Sequence, residues 1–282
     1  MGPTVHRRAW HHPGVTRLAD AHVCITGGSS GIGLALADQC VARGAAVSIL
    51  ARDRGRLDAA QQRLRARAPG ARVASVAADV TDLAALHVAF AELVAAHGPV
   101  DVLVTSAGYA QPGLFLELDD AVFREQMEVD YFGTLHAVRA VVPSMVERRC
   151  GHLVLVASTV AFAGIYGYSA YAPAKHAVRG LAETLRPELK PYGIVVACAY
   201  PPDTATPGFD RENEAKPEVT RKISGAIRPR PASAVATAMV KGIERDRLVI
   251  TADPGTAALA RTGGLVAPLL NPYLDRHLPD AV

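Results

Sequence analysis

The chain has 282 residues, half of them apolar, which is enough to bury a full core as one domain. A formal net charge of +3 is too small to imply a nucleic-acid partner; it is compatible with a phosphorylated cofactor or an anionic membrane surface. No charge-free apolar span reaches the roughly 18 residues of a transmembrane helix, and the first twenty residues lack the apolar run of a signal peptide.

Those first twenty residues read as a flexible, solvated tail. His6, His11, His12 and His22 show no coherent ligand spacing, so no metal site is expected. The four cysteines (Cys24, Cys40, Cys150, Cys198) are scattered, and Cys24 and Cys198 lie in strand-like runs, which reads as buried thiols in a reducing compartment.

In chain order, His22 to Ile25 is a short apolar run that enters Thr26-Gly27-Gly28-Ser29-Ser30-Gly31-Ile32-Gly33. A helical pattern follows through Leu34, Leu36, Ala37 and Val41 and stops at Gly44. Strand, glycine-rich turn and helix together suit a pyrophosphate: glycines allow close backbone approach, and the helix N-terminus offers free N–H groups. Ala46 to Leu50 is a second strand, ending Ala51-Arg52-Asp53-Arg54. An NAD-preferring fold places an acid near that end, whereas Arg52 suits a 2′-phosphate; NADP(H) is therefore favoured, with Arg56 able to assist. Asp53 lies past the strand and reads as the start of the helix Arg54 to Arg67.

A third strand (Arg72 to Ala77) leads to Ala78-Asp79-Val80-Thr81-Asp82. Asp79 is placed to accept from an adenine amino group, or else to begin a helix. Thr81 or Asp82 caps the helix Leu83 to His97, which leaves Asp79 free. Val100 to Val104 is a fourth strand, ending Thr105-Ser106-Ala107-Gly108. Asp119 to Arg149 is helical, with Met127, Phe132, Leu135 and Val138 on its apolar side.

Leu153 to Ala157 is a buried strand that runs into Ser158 and then a helix. Tyr171 and Lys175 are four apart and share a helix face, where an ammonium lowers a phenol's pKa. With Ser158 to hydrogen-bond a carbonyl oxygen, this is equipment for protonating a ketone as it is reduced; as bare spacing, it is also a common surface pair. Val195 to Ala199 and Leu248 to Thr251 read as further strands. Strands alternate with helices throughout, so the fold class is α/β: a Rossmann-type doubly wound parallel sheet in a single domain, about residues 21–255, followed by an apolar tail at 256–282.

With these motifs in order and at matching spacing, the chain resembles the short-chain dehydrogenase/reductase family over about residues 20–255. The resemblance implies a catalytic Ser158, Tyr171, Lys175 and Asp130, and a cofactor, NADPH, held by Gly27, Ser29, Ser30, Gly31, Ile32, Gly33, Arg52, Arg56, Asp79, Val80, Ser106, Ala107, Gly108, Tyr171, Lys175, Pro201, Thr204 and Thr206. Two positions depart from the family pattern: Ser106 and Asp130 stand where asparagine is usual. The usual asparagine helps hold a water beside the lysine; Asp130 can accept from that water but cannot donate, and its charge is expected to shift the pH profile. The segment Tyr200-Pro201-Pro202-Asp203-Thr204-Ala205-Thr206-Pro207-Gly208-Phe209, continuing to Ser224, resembles the branch of the family that acts on a long-chain sphingoid ketone, 3-ketodihydrosphingosine.

For that substrate an apolar groove is expected from Phe162, Ile165, Tyr166, Tyr168 and Phe209. Gly263 to Leu274 is apolar but short and broken by prolines, suited to a membrane surface or a partner subunit and unable to span a bilayer. The family pattern further implies a homo-oligomer, dimer or tetramer, in the cytoplasm with at most peripheral contact at the inner membrane face. Reduction of another ketone (steroid, 3-oxoacyl or xenobiotic), and a non-catalytic NADP(H)-binding role, are the competing readings.

Overall fold

The computed structural model describes residues 11–12, 15–224 and 228–262. The apolar piece from Gly263, and most of the N-terminal tail, lie outside them.

Seven parallel strands form one sheet: β1 (His22–Thr26), β2 (Ala46–Ala51), β3 (Val73–Ala77), β4 (Val102–Thr105), β5 (Gly151–Val156), β6 (Ile194–Tyr200) and β7 (Val249–Thr251). Their spatial order is β7-β6-β5-β4-β1-β2-β3. The central strands are covered on both faces, which is why they read as unbroken apolar runs instead of alternating ones. Register puts Ile25 beside Ile49 on one side and Val104 on the other. These residues face one helical layer, α1 (Gly31–Val41), α2 (Arg54–Arg67) and the helix Ala232–Glu244, through Leu36, Leu57 and Met239. The alternate residues Cys24, Leu103 and Leu153 face α3 (Leu83–His97), α5 (Gly133–Arg148) and α6 (Tyr171–Leu189) through Leu93, Met145 and Val178.

Strand order reverses beside β1, whose neighbours are β2 and β4, and such a switch point opens a crevice at the strand C-termini. The expected motifs end up there. Asp53 and Asp82 cap α2 and α3, each accepting a backbone N–H at 2.9 Å.

The expected single helix over residues 119–149 is three pieces: α4 (Asp120–Gln126), a π-helical turn (Met127–Phe132) and α5. The wider turn shifts the helical face at Asp130, a kind of irregularity frequent at functional sites.

Residues 15–20 pack on the domain and are not a solvated tail. Val15–Thr16 pairs with His11–His12, buried Thr16 donates to Asp246 at 2.6 Å, and Leu18 enters the core. His22 likewise belongs to the interior: its ring nitrogens lie 2.7 Å from the Gly98 carbonyl and 2.8 Å from the Ser48 hydroxyl. Burial pushes its pKa down to about 4. The Cys24 thiol is buried and pushed up to about 12, as an inert interior thiol is. At the other end, residues 254–262 are helical, and Leu259 and Ala260 pack against the core, so ordered structure continues past 255. No helix among the described residues is long and apolar enough to cross a membrane.

Candidate active site

Ser158 follows β5 in extended backbone and leads a single 3₁₀ turn, so its hydroxyl stands at the sheet's C-terminal edge. Tyr171 is the first residue of α6, and Lys175 lies one turn on, fully inside. The Ser158 hydroxyl accepts the Val160 N–H at 3.4 Å and lies near enough to the Tyr171 phenol to favour its ionised form. Lys175 Nζ lies 5.6 Å from the Tyr171 ring centre and donates to the Val156 carbonyl at 3.2 Å. The π-helical turn brings Asp130 Oδ1 to 3.1 Å from Lys175 Nζ, a buried ion pair. The family resemblance implies a water between this position and the lysine; here the carboxylate meets the ammonium directly.

One member of the site has no counterpart among the sequence motifs. Gln126 is buried and spans the gap between loop and helix. Its amide nitrogen donates to the Tyr109 carbonyl at 3.1 Å and to Asp130 Oδ2 at 3.3 Å, while its oxygen accepts from the Gln111 N–H at 3.1 Å. The i, i+4 spacing to Asp130 is the signal that points to it.

The electrostatics correct one expectation. An adjacent Lys175 predicts a lowered Tyr171 pKa, yet that pKa is raised well above the ordinary phenol value. Burial is the main cause, followed by the charges of Asp130 and Glu212; the Ser158 hydroxyl works the other way. Burial also raises the Asp130 carboxyl, against the pull of the Lys175 ammonium. Burial and these charges thus favour the phenol over the phenolate. A reaction that consumes this proton slows as pH rises through the tyrosine pKa, and removing the Asp130 charge lowers that pKa. Asp130→Asn is therefore expected to move the alkaline limb of the reduction profile to lower pH, measured as kcat/KM against pH. A limb that stays in place would remove Asp130 from the electrostatics of Tyr171.

The glycine loop has the shape of a dinucleotide cradle. Gly27 has φ 69°, and a Cβ there would stand 2.6 Å from the Ser106 carbonyl; a Cβ on Gly33 would stand 2.4 Å from the Gly27 carbonyl. Ser29 lies in the turn, and Ser30 precedes α1 with no side-chain cap, leaving the first-turn N–H groups of Gly31, Ile32 and Gly33 open to an anion. Thr26 ties the loop to the end of β4, accepting the Ser106 N–H on its carbonyl at 3.1 Å and the Ala107 N–H on its hydroxyl at 3.2 Å. Gly108 sits over the Asp130–Lys175 pair.

Past the end of β2, Arg52 is largely exposed and only loosely paired with Asp79 at 3.7 Å, while Arg56 pairs with Asp53 at 3.4 Å. Asp79 is less free than expected: its Oδ1 accepts from both the Thr81 N–H and hydroxyl at 2.9 Å, and only Oδ2 faces Arg52. Val80 is buried against Gly133. Past the end of β6, the Pro201 carbonyl accepts the Thr159 N–H at 3.4 Å, and Thr204 donates its hydroxyl to the Pro202 carbonyl at 2.6 Å. Thr206 caps α7 (Pro207–Ala215), with its methyl 3.2 Å from where a Gly31 Cβ would be. The residues present therefore fit a nicotinamide dinucleotide: an uncapped helix N-terminus, a cradle that side chains would fill, and an exposed guanidinium.

Beside α6 lies a largely apolar cavity of about 930 Å³, lined by Leu114, Phe115, Ile165, Tyr166, Tyr168 and Ala172 among others. Phe162 is not part of it; that ring packs 4.4 Å from the Tyr200 ring centre beneath Arg179. Behind Tyr168, which lines the cavity, the chain places a charged cluster that no sequence motif announces. Tyr168 donates to Glu212, Glu212 pairs with fully buried Lys216 at 3.0 Å, and Lys216 lies 4.2 Å over the Phe209 ring.

A family model described as short chain dehydrogenase matches residues 21–217. The chain belongs to the short-chain dehydrogenase family. It is 37% identical over 273 residues to a 3-ketodihydrosphingosine reductase of Dictyostelium discoideum, covering 91% of this chain and 80% of that protein. It is 42% identical over 215 residues to a 3-dehydrosphinganine reductase of Danio rerio, covering 75% of this chain but 65% of that protein, just under two thirds of its length. Among solved structures, levodione reductase superposes with a TM-score of 0.78 at 26% identity, covering 85% of this chain and 98% of that one. An actinorhodin polyketide ketoreductase with NADPH gives 0.74 at 29% identity, covering 85% and 93%.

Proposed function

We propose that this protein reduces the C3 ketone of 3-ketodihydrosphingosine to dihydrosphingosine, with NADPH as the reductant. The observation that carries the reading is the gathering of Ser158, Tyr171 and Lys175 beside an apolar cavity, in a chain similar to reductases of that name. A bound reduced nicotinamide supplies the hydride; the chain supplies position and charge. Tyr171 gives its proton to the carbonyl oxygen as negative charge builds there. Ser158 hydrogen-bonds the same oxygen and holds it against the phenol. Lys175, fixed by Asp130 and the Val156 carbonyl, favours the phenolate left behind and would hydrogen-bond the nicotinamide ribose of a bound cofactor. The cavity beside Tyr168 and Ala172 accepts the alkyl tail. A homo-oligomer in the cytoplasm, touching the inner membrane face at most peripherally, belongs to the same reading.

The direct test follows NADPH oxidation by absorbance with purified protein and 3-ketodihydrosphingosine in detergent. Turnover of the sphingoid ketone with a kcat/KM above that for a small cyclic diketone supports the reading; turnover of the diketone alone overturns it. Arg52 carries the NADPH part. Removing a guanidinium from a phosphate forfeits charge-assisted hydrogen bonds, so Arg52→Ala is expected to raise the KM for NADPH roughly 10-fold and leave that for NADH in place. Equal changes for both cofactors would rule out contact with the 2′-phosphate.

A further inference from the structure

Tyr168 is the side chain shared by the apolar cavity and the catalytic tyrosine. It lines the cavity, and its ring lies 5.9 Å, centre to centre, from the ring of Tyr171. Both rings belong to one small apolar cluster with Val160, Ile165 and Ala172, of which Ile165 and Ala172 also line the cavity.

The position of the Tyr168 ring is fixed from two sides. On one side its backbone bridges to Gly113, whose N–H donates to the Gly167 carbonyl at 2.9 Å. On the other side α7 and α8 (Glu218–Ser224) close against it. The Tyr168 hydroxyl donates to Glu212 Oε1 on α7, and the same oxygen lies 3.0 Å from the buried Lys216 ammonium. Fully buried Thr220 on α8 donates to the Tyr166 carbonyl at 2.9 Å. Gly167 has φ 81°, and a Cβ there would stand 2.5 Å from the Thr220 hydroxyl oxygen, so the two segments meet as closely as glycine allows.

Glu212 Oε1 is the junction of these contacts. A buried ion pair adds little net stability, because desolvation offsets the attraction, so the Glu212–Lys216 pair is a weak staple for the fold. It is a good locator. With Lys216 seated over the Phe209 ring, the carboxylate oxygen is held in place, and a phenol hydroxyl bonded to a charged acceptor is held with it. The Tyr168 ring is thereby pinned at both ends, by its backbone and by its hydroxyl.

We propose that Tyr168 determines specificity as the fixed wall along which the substrate's alkyl tail runs from Tyr171 into the cavity, with Glu212 and Lys216 as positioning residues that act through it. This rests on the long-chain ketone reading above and deepens it by naming the residue that sets the path of the tail. A tail laid along a fixed wall gains about fourfold in kcat/KM for each methylene it buries, whereas a short ketone reaches Tyr171 without that gain.

The quantity read is the ratio of kcat/KM for 3-ketodihydrosphingosine to that for a counterpart whose tail is cut to a propyl group. Changes common to both ketones, including any change at Tyr171 or in the folded fraction, cancel in it. Tyr168→Phe keeps the ring and drops the hydroxyl, and its ratio is expected to fall roughly 10-fold, the lower end of a hydrogen bond to a charged group. Two double variants isolate the acceptor. Glu212→Gln with Lys216→Met keeps an oxygen for the Tyr168 hydroxyl and leaves no unmatched charge, so its ratio is expected to stay within about threefold of wild type. Glu212→Leu with Lys216→Met removes that oxygen, and its ratio is expected to fall as far as in Tyr168→Phe. A purely structural role for the pair would move both double variants alike. A Tyr168→Phe ratio within about threefold of wild type, or equal ratios in the two double variants, overturns the inference and leaves the long-chain reading standing. Wild-type protein that reduces neither ketone, or both equally well, overturns the two together.

Discussion

Tyr171→Phe is expected to lower kcat for ketone reduction by about 10²–10⁴-fold, the usual worth of a positioned general acid, while cofactor binding persists. The change removes one oxygen. The ring keeps its place at the start of α6, 5.9 Å from the Tyr168 ring centre, and the Lys175–Asp130 pair below it is untouched. The loss should therefore fall on kcat, because the missing interaction is made to the oxygen only as charge develops there. NADPH oxidation measures the rate, and fluorescence titration with NADPH measures the retained binding. A variant with more than about a tenth of wild-type kcat would mean that the proton comes from elsewhere, since a tenfold loss is only about 1.4 kcal/mol of barrier. Loss of NADPH binding in the same variant would instead move Tyr171 into the cofactor site and leave the acid unassigned.

The part of this site that local rules govern is legible in the order of the amino acids. Tyr171 and Lys175 share a face because α6 is a regular helix at that point, and the Thr26 to Gly33 loop sits between a strand and a helix whose patterns are both strong. Asp53 and Asp82 can be assigned as caps by the same reasoning. Asp130 marks where local rules stop. Its meeting with Lys175 depends on a π-helical turn and on Gln126 reaching across to Tyr109, neither of which hydrophobic periodicity over residues 119–149 can report. The direction of the Tyr171 shift is hidden for a related reason: the adjacent lysine is visible in sequence, whereas burial and the distant Glu212 and Asp203 charges exist only once the chain is folded. Asp203 and Lys216 belong to the same class. Lys216 gains its meaning from the ion pair with Glu212 and from being closed off from water, and Asp203 from the folded segment that brings its charge near that of Lys216.

Gly108→Ala is expected to damage both stability and turnover, and it tests how tightly the Asp130–Lys175 pair is confined. A Cβ on Gly108 would stand 2.2 Å from Asp130 Oδ1 and 3.3 Å from Lys175 Nζ. Neither neighbour has an easy retreat. Asp130 is fully buried and held from behind by the Gln126 amide, and Lys175 is tied to the Val156 carbonyl. Overpacking of this kind costs about 1–3 kcal/mol. At roughly 2–4 °C per kcal/mol for a domain of this size, Tm falls by about 2–12 °C. Displacing Lys175 from beneath the phenol should also lower kcat at least about tenfold, a barrier change near 1.4 kcal/mol. The cause can be isolated with a double-mutant cycle, because residues in contact are not additive. Asp130→Ala removes the atom that the new methyl would strike, so the Tm loss from Gly108→Ala should shrink by at least half in that background. Thermal melts of the four proteins decide it: an equal loss in both backgrounds would place the strain in the Ser106–Gly108 backbone, with the buried pair left undisturbed.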